Sequence, residues 1–476
     1  MTTLAARTTA PAPAAPVTPV LRTRTRSHKK AWNVGATVFI WLSSLFVVAL
    51  WVWGGGVTAV LGFNGETLTT LGRLTGLVAS NLLLYQVLLM ARIPFFERGF
   101  GRDEITRMHR FVGFWSFWLI MAHIVLLVLG YAATAAINPF VQLWQFVWDY
   151  PGMLLATVAT LCIIMVVVTS IRRARRRIRY ESWHLLHLYA YLGVGLALPH
   201  QLWTGADFLS SPAATFYWWA LWAAAAASVI VFRFGMPLLS SLRHDIRVAS
   251  VTADGARGVT VQMTGRRLDR LNAQAGQFFV WRFLDGPGWT RGHPFSLASA
   301  PTAAGLSISA RYAGDGTRRL ASMRPGTKVM IEGPYGHMTG EVRGGTKLLM
   351  IGAGAGVAPL VSLLEEQQYA PGDATLIARD SVADDALRVD AIADLVARRG
   401  LRHVPLVGSR STRNSPWISV SHNEWRGAHL IQYLAPDLGE YDVYVCGPIP
   451  WMKHVTRDLK RAGVEPERIH SEAFTV

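Results

Sequence analysis

Four histidines stand in apolar sequence, where an ionisable ring is costly and needs a reason. His109 and His123 lie on one apolar stretch, His187 and His200 on another. The first pair is fourteen residues apart, which at 100° per residue falls about 40° short of four full turns. Both rings then share one helix face, roughly 21 Å apart along the axis. The second pair is thirteen apart, roughly 20 Å, with an ideal phase difference of about 140°. Pro199 would kink the helix and help re-aim His200. The two helices run in the same direction, so each brings one His near either end. Imidazoles at equal depth on neighbouring helices hold one metal between them, and two levels make two sites stacked across a bilayer. Zinc wants three or four N/S ligands close together, which this spacing does not supply. Two haems with bis-His axial ligation fit it. His184 remains spare, for a propionate or a backbone group.

A second chemistry sits in the glycines. Leu348-Leu349-Met350-Ile351 reads as a strand, Gly352, Gly354 and Gly356 follow, and Val361–Glu366 reads as a helix. Such a turn lets backbone N–H groups approach a pyrophosphate at a helix start. Earlier, in Arg291–Ser299, Phe295 offers a flat face and Ser296 a hydroxyl for a ring edge.

The elements that must carry these residues fall into two textures. Of 476 residues, 51% are hydrophobic and 16% charged. Soluble domains carry about 25% charge, so an ordinary cytosolic protein is excluded. The 18 Trp suit membrane interfaces. Cys162 and Cys446 are far apart and give no disulfide framework. The net charge of +17 falls in bursts between apolar runs, a membrane topology pattern rather than a nucleic-acid face. Residues 1–30 read as a disordered basic tail, and the length of the run that follows favours an uncleaved helix over a signal peptide. Apolar runs at 34–53, 71–91, 111–131, 151–171, 183–204 and 213–234 predict six helices of about 20 residues. Arginines crowd 92–110 and 172–179, whereas 54–70, 132–150 and 205–212 contain no Lys or Arg. The positive-inside rule then puts the N-terminus and everything after 235 in the cytoplasm of a cell-membrane protein. The predicted domains are a six-helix transmembrane bundle over 31–236, a small antiparallel β-barrel over 243–340 and an α/β nucleotide-binding domain over 345–476.

The six helices, His109 and His123 on the third, and Tyr180-Glu181-Ser182-Trp183-His184-Leu185-Leu186-His187 leading to His200 resemble the ferric reductase-like transmembrane domain. NADPH oxidases and ferric or cupric reductases share that domain. The resemblance implies two b-type haems, with His109 paired to His187 and His123 to His200. Arg73 resembles the family arginine near the outer haem. Eukaryotic oxidases place a further His where this chain has Leu127, which weakens transfer of their oxygen mechanism.

Arg291-Gly292-His293-Pro294-Phe295-Ser296 resembles the flavin motif of the ferredoxin-NADP reductase superfamily, with His293 and Phe295 replacing its Arg and Tyr. The resemblance implies FAD on this string, with its pyrophosphate cupped by the stretch holding Arg311, Gly316 and Thr317. Glu332-Gly333-Pro334-Tyr335-Gly336 would close the barrel. The glycine turn with Pro359, and Val445-Cys446-Gly447-Pro448, imply a reductase-type nicotinamide domain with Cys446 near the nicotinamide C4. Ser409-Arg410, with Arg413 as a second candidate, resembles the pair that binds the 2′-phosphate of NADPH, NADH being the alternative. Phe474 resembles the terminal aromatic that stacks on the flavin.

Together these imply a transmembrane flavocytochrome oxidoreductase that passes electrons from cytoplasmic NAD(P)H through FAD and two haems to oxygen or to ferric or cupric chelates. The alternatives are a haem subunit feeding a membrane or periplasmic partner or quinone, and a non-redox membrane module fused to a soluble reductase. No EF-hand loop suggests calcium control.

Overall fold

The computed structural model describes residues 24–63, 65–178, 180–286 and 288–474; of the expected tail, residues 1–23 lie outside the described residues. The chain divides into two compact units, at Met236 and Pro237.

The first unit is helical: α1 (Arg24–Trp53), α2 (Glu66–Met90), α3 (Arg102–Ala135), α4 (Pro139–Asp149), α5 (Met153–Ser170), α6 (Tyr180–Trp203) and α7 (Pro212–Ser228), joined by shorter turns. α7 continues through a π-helical stretch, Val229–Gly235, into α8 (Met236–His244). Helices suit apolar surroundings because their backbone groups are satisfied internally. Asn138 accepts from the Phe140 N–H to cap α4, and Ser211 accepts from Ala214 N–H to cap α7, each with Pro at the next position.

Among the described residues, Glu66–Met90, Glu104–Ala135, Met153–Ser170 and Pro212–His244 are long and apolar enough to cross a membrane, and Thr37–Trp53 is apolar but shorter. The helix bearing His187 and His200 is not among these four, because polar residues interrupt its apolar run. α6 continues through Pro199 to Trp203. α2 packs along α3 and α5 along α6, while α3 and α6 approach each other at few backbone positions.

After the α8 residues from Pro237 on, the second unit continues with β1 (Arg247–Ala253), β2 (Gly258–Thr264), β3 (Phe278–Phe283), β4 (His293–Ser296), β5 (Leu306–Arg311), α9 (Asp315–Leu320) and β6 (Val329–Tyr335). Where one barrel is predicted, the strands form two three-stranded antiparallel sheets, β1-β2-β5 and β4-β3-β6. Single bridges join them, Leu297 to Ile308 and Arg247 to Lys328. β4 is four residues long and Pro294 has no N–H to donate, so its edge pairs sparsely. Phe279, Trp281, Val261 and Ile308 fill the core between the sheets.

From Lys347 the strand–turn–helix texture forms a parallel sheet. β7 (Lys347–Ala353), α10 (Val357–Glu366), β8 (Ala374–Asp380), α11 (Val389–Arg399), β9 (Arg402–Val407), α12 (Gly427–Leu434), β10 (Tyr441–Pro448), α13 (Ile449–Ala462) and β11 (Ile469–Phe474) give the strand order β11-β10-β7-β8-β9. β8 is buried along its whole length, as a strand covered on both faces should be.

Candidate functional site

In the helical unit His109 on α3 and His187 on α6 face each other across the gap between these helices. The rings of His109 and His187 lie 6.0 Å apart between centroids, with planes inclined by 63°. Two metal–nitrogen bonds of about 2 Å each fit between rings so spaced. His187 Nδ1 is 3.3 Å from Ser170 Oγ, which also accepts from Trp183 Nε1 at 3.3 Å. The Trp183 ring lies 5.0 Å from that of His187, and the Arg175 guanidinium stands 4.5 Å above the same indole. His109 Nδ1 is buried with no hydrogen-bond partner.

His123 donates from Nδ1 to the carbonyl of Gly72 at 2.7 Å. That bond fixes the ring and leaves Nε2 for a metal, the usual arrangement of a ligating histidine. α2 presses on the ring: a Cβ added at Gly76 would lie 2.4 Å from His123 Nδ1. Gly72 lies close to Leu127, where an added Cβ would meet a side-chain carbon at 2.8 Å. At the far end of α6, a Cβ on Gly152 would lie 2.8 Å from His200 N. Among the described residues no cluster of three or more His, Cys, Asp or Glu that could hold a metal ion forms; the facing pair His109 and His187 fits a group held between two imidazoles. Arg73 forms a two-point ion pair with Asp207, Nε to Oδ2 at 2.7 Å and Nη2 to Oδ1.

In the second unit His293 and Phe295 alternate onto one face of β4, their rings 6.1 Å apart and nearly parallel. Pro294 points the other way, exposed, and Ser296 is buried at the strand end. A Cβ on Gly316 would lie 2.8 Å from His293 Cε1, so the start of α9 abuts this ring. Burial, then the neighbouring Arg291 and Arg319, lower the His293 pKa. The imidazole therefore favours its neutral form.

Two residues predicted at the flavin pyrophosphate are engaged elsewhere. The Thr317 hydroxyl accepts from Ala313 N at 2.9 Å and Gly314 N at 3.2 Å, and donates to Gly314 O at 2.9 Å. It shapes its own turn. Arg311 donates from Nη2 to Asp380 Oδ1 at 2.6 Å and to Asp385 O at 2.5 Å, with Nε buried and unpartnered. Burial pushes the Asp380 carboxyl above the usual range, against the pull of Arg311.

The glycine turn lies at the end of β7. Gly352 packs on Val357 and Leu360, Gly354 faces the Arg311 guanidinium, and Pro359 is buried in α10. A Cβ on Gly356 would fall 2.2 Å from Cys446 O. Only glycine lets α10 begin against the end of β10, where Gly447 also packs on Trp451. Cys446 itself is 1% exposed. Its thiol donates to Glu472 O at 3.3 Å, and burial pushes its pKa up. Ser409 and Arg410 lie beyond β9, where Arg410 is exposed and bridges to Ser419; Arg413 is exposed as well. Phe474 ends β11 beside Pro448; its side chain lies outside the described residues.

Sequence reading missed Gly72, Gly76, Asp207, Asp380 and Arg379. Gly72 and Gly76 form a small-xxx-small pair, a signal of close helix approach in membranes. Arg379 donates to Leu406 O at 3.1 Å and Gly408 O at 2.7 Å, tying β8 to the turn before Ser409. Burial lowers its pKa.

Residues 75–198 match the ferric reductase like transmembrane component, a stretch that includes His109, His123 and His187 but neither Arg73 nor His200. Residues 245–339 match the FAD-binding domain. The chain is 28% identical over 216 residues to the stachydrine N-demethylase reductase subunit of Rhizobium meliloti, covering 43% of this chain and 59% of the relative. It is 26% identical over 253 residues to a superoxide-generating NADPH oxidase heavy chain of Dictyostelium discoideum, covering 46% of each. The chain thus spans about half the length of these relatives. The FAD/NAD-binding domain of nitric oxide dioxygenase from Vibrio cholerae aligns over 48% of this chain and 98% of its own, with TM-score 0.39 and 21% identity. By these matches the chain is a membrane protein in which a stretch similar to the ferric reductase like transmembrane component is followed by one similar to an FAD-binding domain.

Proposed function

We propose that the chain carries electrons from cytoplasmic NAD(P)H, through FAD and two bis-histidine b-type haems, to oxygen or to ferric or cupric chelates on the opposite face. Bound flavin would turn a two-electron hydride donor into a source of single electrons, which haem iron can take up. The six long helices would all cross the membrane, with the two arginine-rich loops inside. The two antiparallel sheets would act together as the flavin-binding barrel.

The residues have distinct tasks in this reading. His109 and His187 would hold the inner group; His123, oriented by the Gly72 carbonyl, would hold the outer one with His200. The His293–Phe295 face would take the flavin ring and Ser296 its edge. Gly352–Gly356 would take the nucleotide pyrophosphate, and Ser409, Arg410 and Arg413 the 2′-phosphate, since arginine holds phosphate at two points. Arg311 and Thr317 would act from behind, by setting the turn that faces the flavin. Cys446 would back the nicotinamide site as a neutral thiol, and Phe474 would cover the flavin.

The observation that carries the proposal is the 6.0 Å spacing of His109 and His187 on two helices that otherwise scarcely touch. Purified full-length protein is expected to show low-spin b-type haem bands on dithionite reduction, and the same bands on adding NADPH. Superoxide release and ferric-chelate reduction, assayed side by side, then assign the acceptor. Protein that purifies with FAD but without haem would overturn the proposal in favour of a non-redox membrane module. Haem reduction by NADPH with neither acceptor consumed, but oxidation on adding a quinone, would move it to an electron-delivering subunit.

A further inference from the structure

Outside the loops 92–110 and 172–179, Arg73 is the one Lys or Arg between residues 31 and 232. Its backbone belongs to the His123 level. It follows Gly72, whose carbonyl takes the His123 N–H at 2.7 Å, and precedes by three residues Gly76, which abuts the same ring. Its partner Asp207 belongs to the end of the His200 helix. Past His200 the chain folds back on it, with Thr204 Oγ1 and Gly205 N both donating to His200 O, at 2.7 and 3.0 Å. Asp207 lies in the short 3-10 turn that follows, Ala206–Phe208.

The ion pair therefore links the carriers of the two histidines assigned to the outer site. It is not sealed away. The Arg73 side chain keeps 44% of its surface exposed and Asp207 keeps 20%, so both charges can be felt by a solute arriving at that end. The other formal charges near that end are acidic: Glu66, which opens α2 and also acts on Arg73, and Asp149, which ends α4. An unpaired arginine here would attract anions; one held at two points by a carboxylate presents little net charge.

We propose that Asp207, by cancelling the charge of Arg73, sets which acceptors the outer end reduces: neutral or cationic one-electron acceptors in preference to anionic chelates. This rests on the electron-transfer function proposed above and adds the charge class of the acceptor. One electron leaves the protein for each acceptor reduced.

The test uses full-length, haem-loaded protein with NADPH as donor and two probes, ferricyanide as the anionic acceptor and hexaammineruthenium(III) as the cationic one. Each probe takes one electron. The readout is the ratio of their kcat/KM values, in which any loss of folded protein cancels. Asp207→Asn should raise the anionic-to-cationic ratio and Arg73→Gln should lower it, each by roughly threefold to tenfold at low ionic strength. Both shifts should shrink in 1 M salt, where the screening length is about 3 Å. The double exchange Arg73→Asp with Asp207→Arg should return the ratio to that of the parent. A spectroscopic redox titration without NADPH or acceptor gives a second readout: one haem should become easier to reduce in Asp207→Asn and harder in Arg73→Gln. Shifts of the same sign in both single variants, or shifts unaffected by salt, would overturn the proposal and leave the pair as a structural tie. Absence of haem bands in the parent protein, read before any acceptor is added, would instead sink the electron-transfer reading.

Discussion

In the membrane helices the groups that would hold a ligand are side chains aimed across a gap; at the glycine turn after β7 and the turn before α9 they are main-chain groups whose neighbouring side chains are already committed. His109 and His187 face each other with little else between their helices, and His123 is aimed by a single carbonyl. Thr317, Arg311 and Cys446, by contrast, each bond within their own fold. The contrast follows from the surroundings. A transmembrane helix has spent its backbone groups on itself, so only side chains remain to bind. A strand that runs into a helix start brings free backbone N–H groups to the turn, so the side chains there are better used to shape it.

This contrast can be broken by substitutions that fill space in one half and not the other. The largest effect should come from Gly76→Val, whose Cβ would collide with His123. It should halve the haem bound per chain, as His187→Ala should through the other level, while Gly195→Ala, with nothing within 4 Å of its Cβ, should leave haem content unchanged. Pyridine haemochrome assay reads all three. Next comes Gly356→Ala, which drives a methyl against Cys446 O. It should cost about 1–3 kcal/mol by urea unfolding and slow flavin reduction by NADPH, whereas Gly314→Ala, in open space, should stay within about 0.5 kcal/mol.

A smaller effect should separate a buried thiol from a reacting one. Cys446 should resist iodoacetamide at pH 8 until the protein unfolds, as peptide mapping would report, because burial keeps it protonated. Rapid labelling of the folded protein would place the thiol at the ligand surface instead. The smallest effect concerns His293. Its folded pKa lies below the ordinary value, so between the two the unfolded chain binds the extra proton. Stability from neutral His293 is complete above about pH 6.5 and falls as pH drops toward the folded value. His293→Asn should flatten that slope in urea midpoints measured from pH 5 to 7.

Much of this was legible in the residues, because local period and composition decide it. The apolar runs predict where α1, α2, α3, α5, α6 and α7 fall, and the fourteen-residue spacing puts His109 and His123 on one face of α3. The glycines after Leu348–Ile351 mark the turn between β7 and α10. What was illegible depends on partners distant in sequence. Arg311 and Asp380 are 69 residues apart, and Arg73 and Asp207 are 134 apart; neither end of either pair announces the other. Thr317 reads as a free hydroxyl until the turn folds around it. The thin seam between the two sheets, at Pro294 and a four-residue β4, was not legible from the strand pattern alone. The pressure of Gly76 on His123 was available in principle from the Gly72–Gly76 spacing.

The stack of Arg175 on Trp183, and of Trp183 beside His187, has an electrical consequence. In the proposed function an extra electron at the His109–His187 level would sit near a fixed cation one indole away, with Arg110 next in the chain to His109. At the His123 level the nearest arginine is cancelled by a carboxylate. In the electron-transfer function proposed above, these static charges would favour the level beside the basic loops, and an electron would climb to leave it. Net passage to the His123 level would then depend on a pull from beyond the protein, either prompt removal there or a transmembrane voltage, which supplies about 2.3 kcal/mol per 100 mV.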